Sequence, residues 1–249
     1  MAAGRRSNWV RQAHMNILVL NPNTSAAVTE RIAGVVHRIA RPETHAIVQR
    51  IAHGPEVLES AFDESLAVPH VIDAVREATA TGVHAVILAA FCDPGLDAVR
   101  EISTIPVYGL EETTFAVALL LGNKFGILTE RKHKTAVKMQ HVRKHGLESR
   151  FASVRPLDMG VADIASDPDR VKRVGLDVAR RMVEEDGAEV IIMGCASMAG
   201  YSEDLQRELS VPVLDPIAVT FKVVEGLTEI GVVHSKRGLF ATPAPQRIN

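Results

Sequence analysis

The chain has 249 residues, 47% of them apolar and 23% charged, with a formal net charge of −2. That is an ordinary composition for a soluble globular protein, and near-neutrality leaves no electrostatic footprint for nucleic acid or an anionic membrane. No run approaches about 18 apolar residues, which excludes a spanning helix. Two cysteines cannot build a secreted disulfide framework, so a reducing cytoplasm is expected.

Ten histidines are scattered along the chain without metal-site spacings, and neither H-E-x-x-H nor C-x-x-C occurs. Residues 1–14 are polar and aperiodic and read as a flexible extension. Met15–Leu20 is an apolar first strand, followed by the polar loop Asn21–Ser25 and a helix over 26–41. Asn, Thr and Ser in that loop suit a helix N-cap. A polar loop at a strand's carboxyl end is also where open α/β sheets bind ligands, so Asn23 and Thr24 are candidate substrate-binding residues. Thr44–Ile51 reads as a second strand and Glu59–Thr81 as helix, with Pro69 expected to break or restart it.

Val83–Gly95 (VHAVILAAFCDPG) then gives a strand at Val86–Ala90, a loop carrying Phe91, Cys92 and Asp93, a helix over 96–102, and a short Pro-led strand at Ile105–Tyr108. A helix opens at Glu111-Glu112, with Thr113 in its first turn, and ends near Leu121. Lys124–Leu128 restarts the pattern, with Thr129-Glu130 in the place the Asn21–Ser25 loop holds in the first half. The basic helix at 132–145 is expected on a solvated face. A strand at Phe151–Val154 and a helix from Asp167-Pro168 to Asp186 follow.

The closing unit of this half is Ala188–Tyr201 (AEVIIMGCASMAGY): an apolar β-branched strand, Val190–Met193, ending in Gly194-Cys195-Ala196-Ser197. A helix is expected over 198–209 and a Pro-led strand at Val211–Leu214. Asp215-Pro216 opens a last amphipathic helix over 217–230, beginning with Ile217. The tail, 241–249, is polar and expected to be flexible.

Strand–helix alternation implies parallel sheets flanked by helices. The repeat implies two similar α/β lobes related by a pseudo-twofold, residues 15–110 plus 216–240 and residues 111–215, with a cleft between them. Both cysteines fall at the same point of two copies of one pattern. Ungapped strand alignment sets Cys195 opposite Phe91, one residue from Cys92.

Two thiols on related lobes suit racemisation of a carbon acid. One group removes a proton from one face while the other delivers a proton to the opposite face. A free thiol is only about 3% ionised at pH 7. Helix N-termini and backbone amides are expected to lower its pKa, while mutual repulsion leaves one thiolate and one thiol. Backbone N–H groups, Asn23 and the Ser197 hydroxyl would receive the enolate oxygen. Phe91, Asp93, Thr113, Ala196 and Ile217 complete the candidate substrate-binding set. No pyridoxal-type lysine motif or ligand cluster suggests a cofactor or metal.

The stretches ILVLNPNT (Ile17–Thr24), DPGLDA (Asp93–Ala98) and GCASMA (Gly194–Ala199) resemble the aspartate/glutamate/hydantoin racemase superfamily, most closely its hydantoin and allantoin racemase branch. The resemblance implies a cofactor-independent racemase and homo-oligomer acting on a small molecule, with Cys92 and Cys195 as the catalytic bases. It implies that the NPNT loop and the peptide groups around both cysteines hold the ring. The absence of Lys and Arg from the three loops favours a neutral cyclic diamide over free aspartate. One-cysteine relatives (arylmalonate decarboxylases, maleate isomerases, amino-acid racemases) and a non-catalytic bilobed binding protein are the alternatives.

Overall fold

The computed structural model describes residues 14–244. The first half runs β1 (Met15–Asn21), α1 (Ala26–Ile39), β2 (Thr44–Arg50), α2 (Ala61–Ala80), β3 (Ala85–Leu88), α3 (Leu96–Ile102), β4 (Val107–Gly109) and α4 (Leu110–Leu121). The second runs β5 (Phe125–Thr129), α5 (Lys134–Lys144), β6 (Phe151–Pro156), α6 (Val161–Ser166), α7 (Pro168–Glu184), β7 (Val190–Met193), α8 (Ser202–Glu208), β8 (Val213–Leu214) and finally α9 (Pro216–Glu229). Two four-stranded sheets result, β2-β1-β3-β4 and β6-β5-β7-β8. Every pairing in both is parallel. The same strand order in each is what a duplicated unit produces.

The strands read as unbroken apolar runs because both faces are covered. Ile17, Val19, Ile87, Ile127, Val190 and Ile192 point into one shared cluster, closed by Ile32 of α1, Phe115 of α4 and Phe221 of α9. Their alternate neighbours point outward. Leu18, Leu20 and Leu88 meet Val71 and Val75 of α2, while Leu128, Ile191 and Met193 meet Ala179 and Met182 of α7. Each fully buried side chain of this size contributes about 1.5–3 kcal/mol. The shared cluster makes the interior continuous between the sheets, and α9 carries the chain back onto the first one. Among the described residues no helix is long and apolar enough to cross a membrane.

Three local expectations are corrected. Helix α2 runs unbroken through Pro69. The carbonyl that Pro69 leaves without its helical partner belongs to Ser65, an exposed residue, so it is not orphaned in the core. No long helix follows Cys195: a single 3-10 turn (Ala196–Met198) precedes α8. Between them Gly200 takes φ +88° and donates its N–H to Asp215 at 2.6 Å, which interrupts the helical path. Helix α6 was not expected. The Asp163 carboxylate starts it by accepting the Gly160 N–H at 3.0 Å. The extension and tail fall outside the described residues except for His14 and 241–244.

Candidate active site

Four strand ends converge on one small cavity of about 50 Å3, which Asn23, Cys92, Cys195 and Ser197 line together with Phe91 and Ala196. After β1, the Asn21 amide donates to Asn23 Oδ1 at 2.9 Å and to Thr29 Oγ1 at 3.0 Å, locking the loop onto α1. Ser25 caps that helix by accepting the Val28 N–H, so this loop both starts a helix and presents Asn23 to the cavity. Thr24 instead ties the loop to Pro55 through its N–H and hydroxyl.

After β3, Phe91 packs edge-on against Phe115 and Cys92 turns toward the cavity. Asp93 takes φ +45° and accepts the N–H groups of Glu111 and Glu112 at 3.1 and 3.2 Å, capping α4 from 18 residues away. Gly109 makes room for that cap, since a Cβ there would lie 2.2 Å from Asp93 Oδ2. Of the residues expected at the substrate, Thr24, Asp93, Thr113 and Ile217 do not line the cavity among the described residues. Thr113 is buried on α4, and Ile217 packs in the shared core.

Strand pairing fixes how the two halves correspond. Leu88 lies beside Leu20 and Met193 beside Leu128. One residue further on, the Ala89 N–H donates to Leu20 O at 2.8 Å and the Gly194 N–H to Leu128 O at 2.7 Å. Counting onward, Cys195 matches Ala90 and Cys92 matches Ser197. The ungapped alignment is thus corrected: Cys92 stands two residues, not one, from the mate of Cys195. The sulfur of Cys195 and the hydroxyl of Ser197 are 3.0 Å apart, so Cys92 holds in the first half the place a hydroxyl holds in the second.

The basic helix is the larger correction. Lys134 and Lys138 are not solvated: each is about 95% buried (5% and 4% exposed) and both line the cavity. Spaced i, i+4, they share one face of α5, and that face is turned inward. Lys138 Nζ donates to Phe91 O at 2.6 Å and sits 4.6 Å over the Phe91 ring. Lys134 Nζ lies 3.8 Å from Glu64. Glu130, buried and accepting the Thr129 hydroxyl at 2.8 Å, also lines the cavity. Sequence reasoning missed all three. The available signal for the lysines was Lys134 at the first position of the helix, where the macrodipole disfavours a cation, with a like charge one turn on.

Burial pushes both thiols up, Cys195 to about 11, against the expected lowering. Glu64 and Asp93 add to the rise at Cys92, as Glu130 does at Cys195. Lys138 opposes it at both, and Ser197 opposes it at Cys195. The expected helix dipoles are displaced: α3 starts four residues beyond Cys92, and Cys195 precedes only a 3-10 turn. At neutral pH both sulfurs of the ligand-free protein carry their protons.

Burial and the neighbouring Glu111 likewise raise Asp93 to about 8. A folded value far above the unfolded carboxylate range means the native state holds a proton that the unfolded chain releases. Stability therefore falls as pH rises from about 4 toward 8. Relative to wild type, Asp93→Asn is expected to gain at least about 2 °C in Tm between pH 5 and pH 8. Parallel melting curves across that range would show that Asp93 ionises normally.

Residues 17–224 match the family model Asp/Glu/Hydantoin racemase. The chain is 35% identical over 238 residues to the hydantoin racemase of Paenarthrobacter aurescens, covering 94% of this chain and 99% of that one. It is 34% identical over 229 residues to the hydantoin racemase of Pseudomonas sp. (strain NS671), covering 92% of each. The solved allantoin racemase from Klebsiella pneumoniae superposes with a TM-score of 0.90 at 31% identity, covering 94% of this chain and 96% of that one.

Proposed function

Because the chain belongs to the Asp/Glu/hydantoin racemase family, we propose that it inverts the C5 centre of a 5-substituted hydantoin or allantoin, without a cofactor, using Cys92 and Cys195 as paired acid and base. One observation carries this reading: the two cysteines of the chain, separated by about a hundred residues, line one cavity at the carboxyl ends of two related sheets. The hydrogen at C5 lies α to a carbonyl, so its removal needs a base and a home for the enolate charge. One sulfur, as thiolate, takes that proton from its side of the ring, and the other, as thiol, returns one from the opposite side. The roles are then exchanged for the next turnover. The Ser197 hydroxyl, 3.0 Å from the Cys195 sulfur, would donate to the thiolate form, and Asn23, which lines the same cavity, would donate its side-chain amide to a ring carbonyl.

The choice of substrate rests on relatives rather than on missing cations. Lys134 and Lys138 reach the cavity from α5, so loops free of Lys and Arg do not by themselves favour a neutral ring over free aspartate. The mismatch between Cys92 and the mate of Cys195 favours a second reading, in which Cys195 alone does chemistry and Cys92 packs.

Proton NMR in D₂O separates these readings over a panel of enantiopure hydantoins, allantoin, aspartate and maleate. The expected result is deuterium at C5 of the inverted product, with early recovered substrate still protiated, as two separate bases require. Absence of exchange on every hydantoin and on allantoin would remove the proposal. Exchange with retention of configuration would establish the one-cysteine reading.

A further inference from the structure

Helix α5 breaks three local rules at once. Its first residue is Lys134 and it has no side-chain cap, so a cation faces the positive end of the macrodipole. Lys138 repeats that charge one turn on, where like charges at i, i+4 repel. Both ammonium groups are buried, and a buried charge is costly without close partners. The partners present are modest. Lys134 has Glu64 at 3.8 Å and Lys138 has Glu111 at 3.9 Å, neither within hydrogen-bond distance. Glu111 is also shared, with His141 at 2.8 Å and His145 at 3.9 Å. The short contact of Lys138 is to a neutral group, the Phe91 carbonyl. Departures from local consistency of this kind gather at functional sites.

We infer that Lys138 is a positioning residue of this site: its buried ammonium fixes the Phe91–Cys92 loop and supplies the positive charge that balances a sulfur anion in the cavity. The inference deepens the reading above, from which it takes only that such an anion forms. The geometry places the charge well, one residue from Cys92 through the carbonyl it holds, on the wall that Cys195 also lines. Other groups act there too. From α2 Glu64 opposes a Cys92 anion, as Asp93 does from the loop, while Lys134 favours it. From the end of β5 Glu130 opposes a Cys195 anion. Lys138 favours the anion at both.

Three variants test this. Lys138→Gln keeps an N–H donor for Phe91 O without the charge, Lys138→Arg keeps the charge, and Lys138→Met removes both. The readout is the iodoacetamide alkylation rate of the Cys92 and Cys195 peptides, followed by mass spectrometry from pH 6 to 10 without substrate. One unit in thiol pKa is a tenfold change in thiolate at fixed pH. At pH 8 we expect Lys138→Gln and Lys138→Met to react about tenfold more slowly than wild type, with Lys138→Arg within about threefold of it. In racemisation assays the Gln variant should lose kcat and keep KM within about threefold. Wild-type alkylation by either folded uncharged variant would overturn the inference. So would an Arg variant as slow as Gln, because charge would then not be the property that matters. Alkylation needs no substrate, so slowed alkylation with no racemisation of any hydantoin would sink the substrate assignment and leave Lys138 in its role.

Discussion

Replacing Cys195 by serine is expected to lower the racemisation kcat by about 10²–10⁴-fold, the range that a positioned acid/base group contributes. The same loss is expected for Cys92→Ser. A hydroxyl keeps the size and hydrogen bonding of the thiol but ionises far less readily, so neither variant can complete the two-sided transfer. One competent base survives in each. Each variant should therefore exchange the C5 hydrogen of a single enantiomer without inverting it, and the two should choose opposite enantiomers. The pH dependence follows from burial. Cys195 is pushed up to about 11 in the ligand-free protein and Cys92 is raised well above a free thiol, so thiolate is scarce at neutrality. Below the lower thiol pKa, kcat/KM should climb about tenfold per pH unit, read from pH 6 to 9 after subtracting spontaneous racemisation. Should both serine variants racemise like wild type, the two-thiol mechanism is wrong. Loss confined to Cys195→Ser would favour the one-cysteine reading.

The parts of this molecule that could be read from its sequence are those fixed by short-range pattern. Val190–Met193 announced itself as a doubly covered strand because four consecutive apolar residues between glycines have no exposed face to serve. The cysteine loops were legible for the same reason: a strand has to end, and Gly194 and the Asp93-Pro94-Gly95 turn mark where. What escaped depends on distance along the chain. Asp93 looked like a substrate ligand, and its capping of α4 is invisible until Glu111 and Glu112 are brought to it. Lys134 and Lys138 sit in a helix so polar that its pattern reads as solvated. They are buried because α2 and α4 bring Glu64 and Glu111 to that face. The two-residue offset of Cys92 needs the strand register, which a one-residue alignment choice alters.

The second large effect is expected at Gly194, where the fold and the site meet. Its N–H donates to Leu128 O at 2.7 Å, and a Cβ added there would stand 2.6 Å from both that oxygen and Ile127 Cγ2. The oxygen is backbone in the middle of the sheet and the methyl is in the shared core, so neither can swing aside as a flexible side chain would. Gly194→Ala is therefore expected to destabilise by about 2–3 kcal/mol, within the range for overpacking a filled core. A chemical denaturation series would read it. Relief of the clash has to push the strand end outward, and Cys195 is the next residue. A displacement of about 1 Å at reacting groups costs on the order of a hundredfold in rate, so activity should fall further than stability alone explains. The first half provides the control. Its matching position is Ala89, which carries a Cβ and still donates to Leu20 O at 2.8 Å. The two strand ends thus differ in how closely the neighbouring chain approaches. Ala89→Gly should cost less, about 1–2 kcal/mol, from the entropic penalty of glycine together with the loss of one methyl buried in the shared core. Equal losses from the two substitutions would mean that crowding at Gly194 is not what sets the position of Cys195.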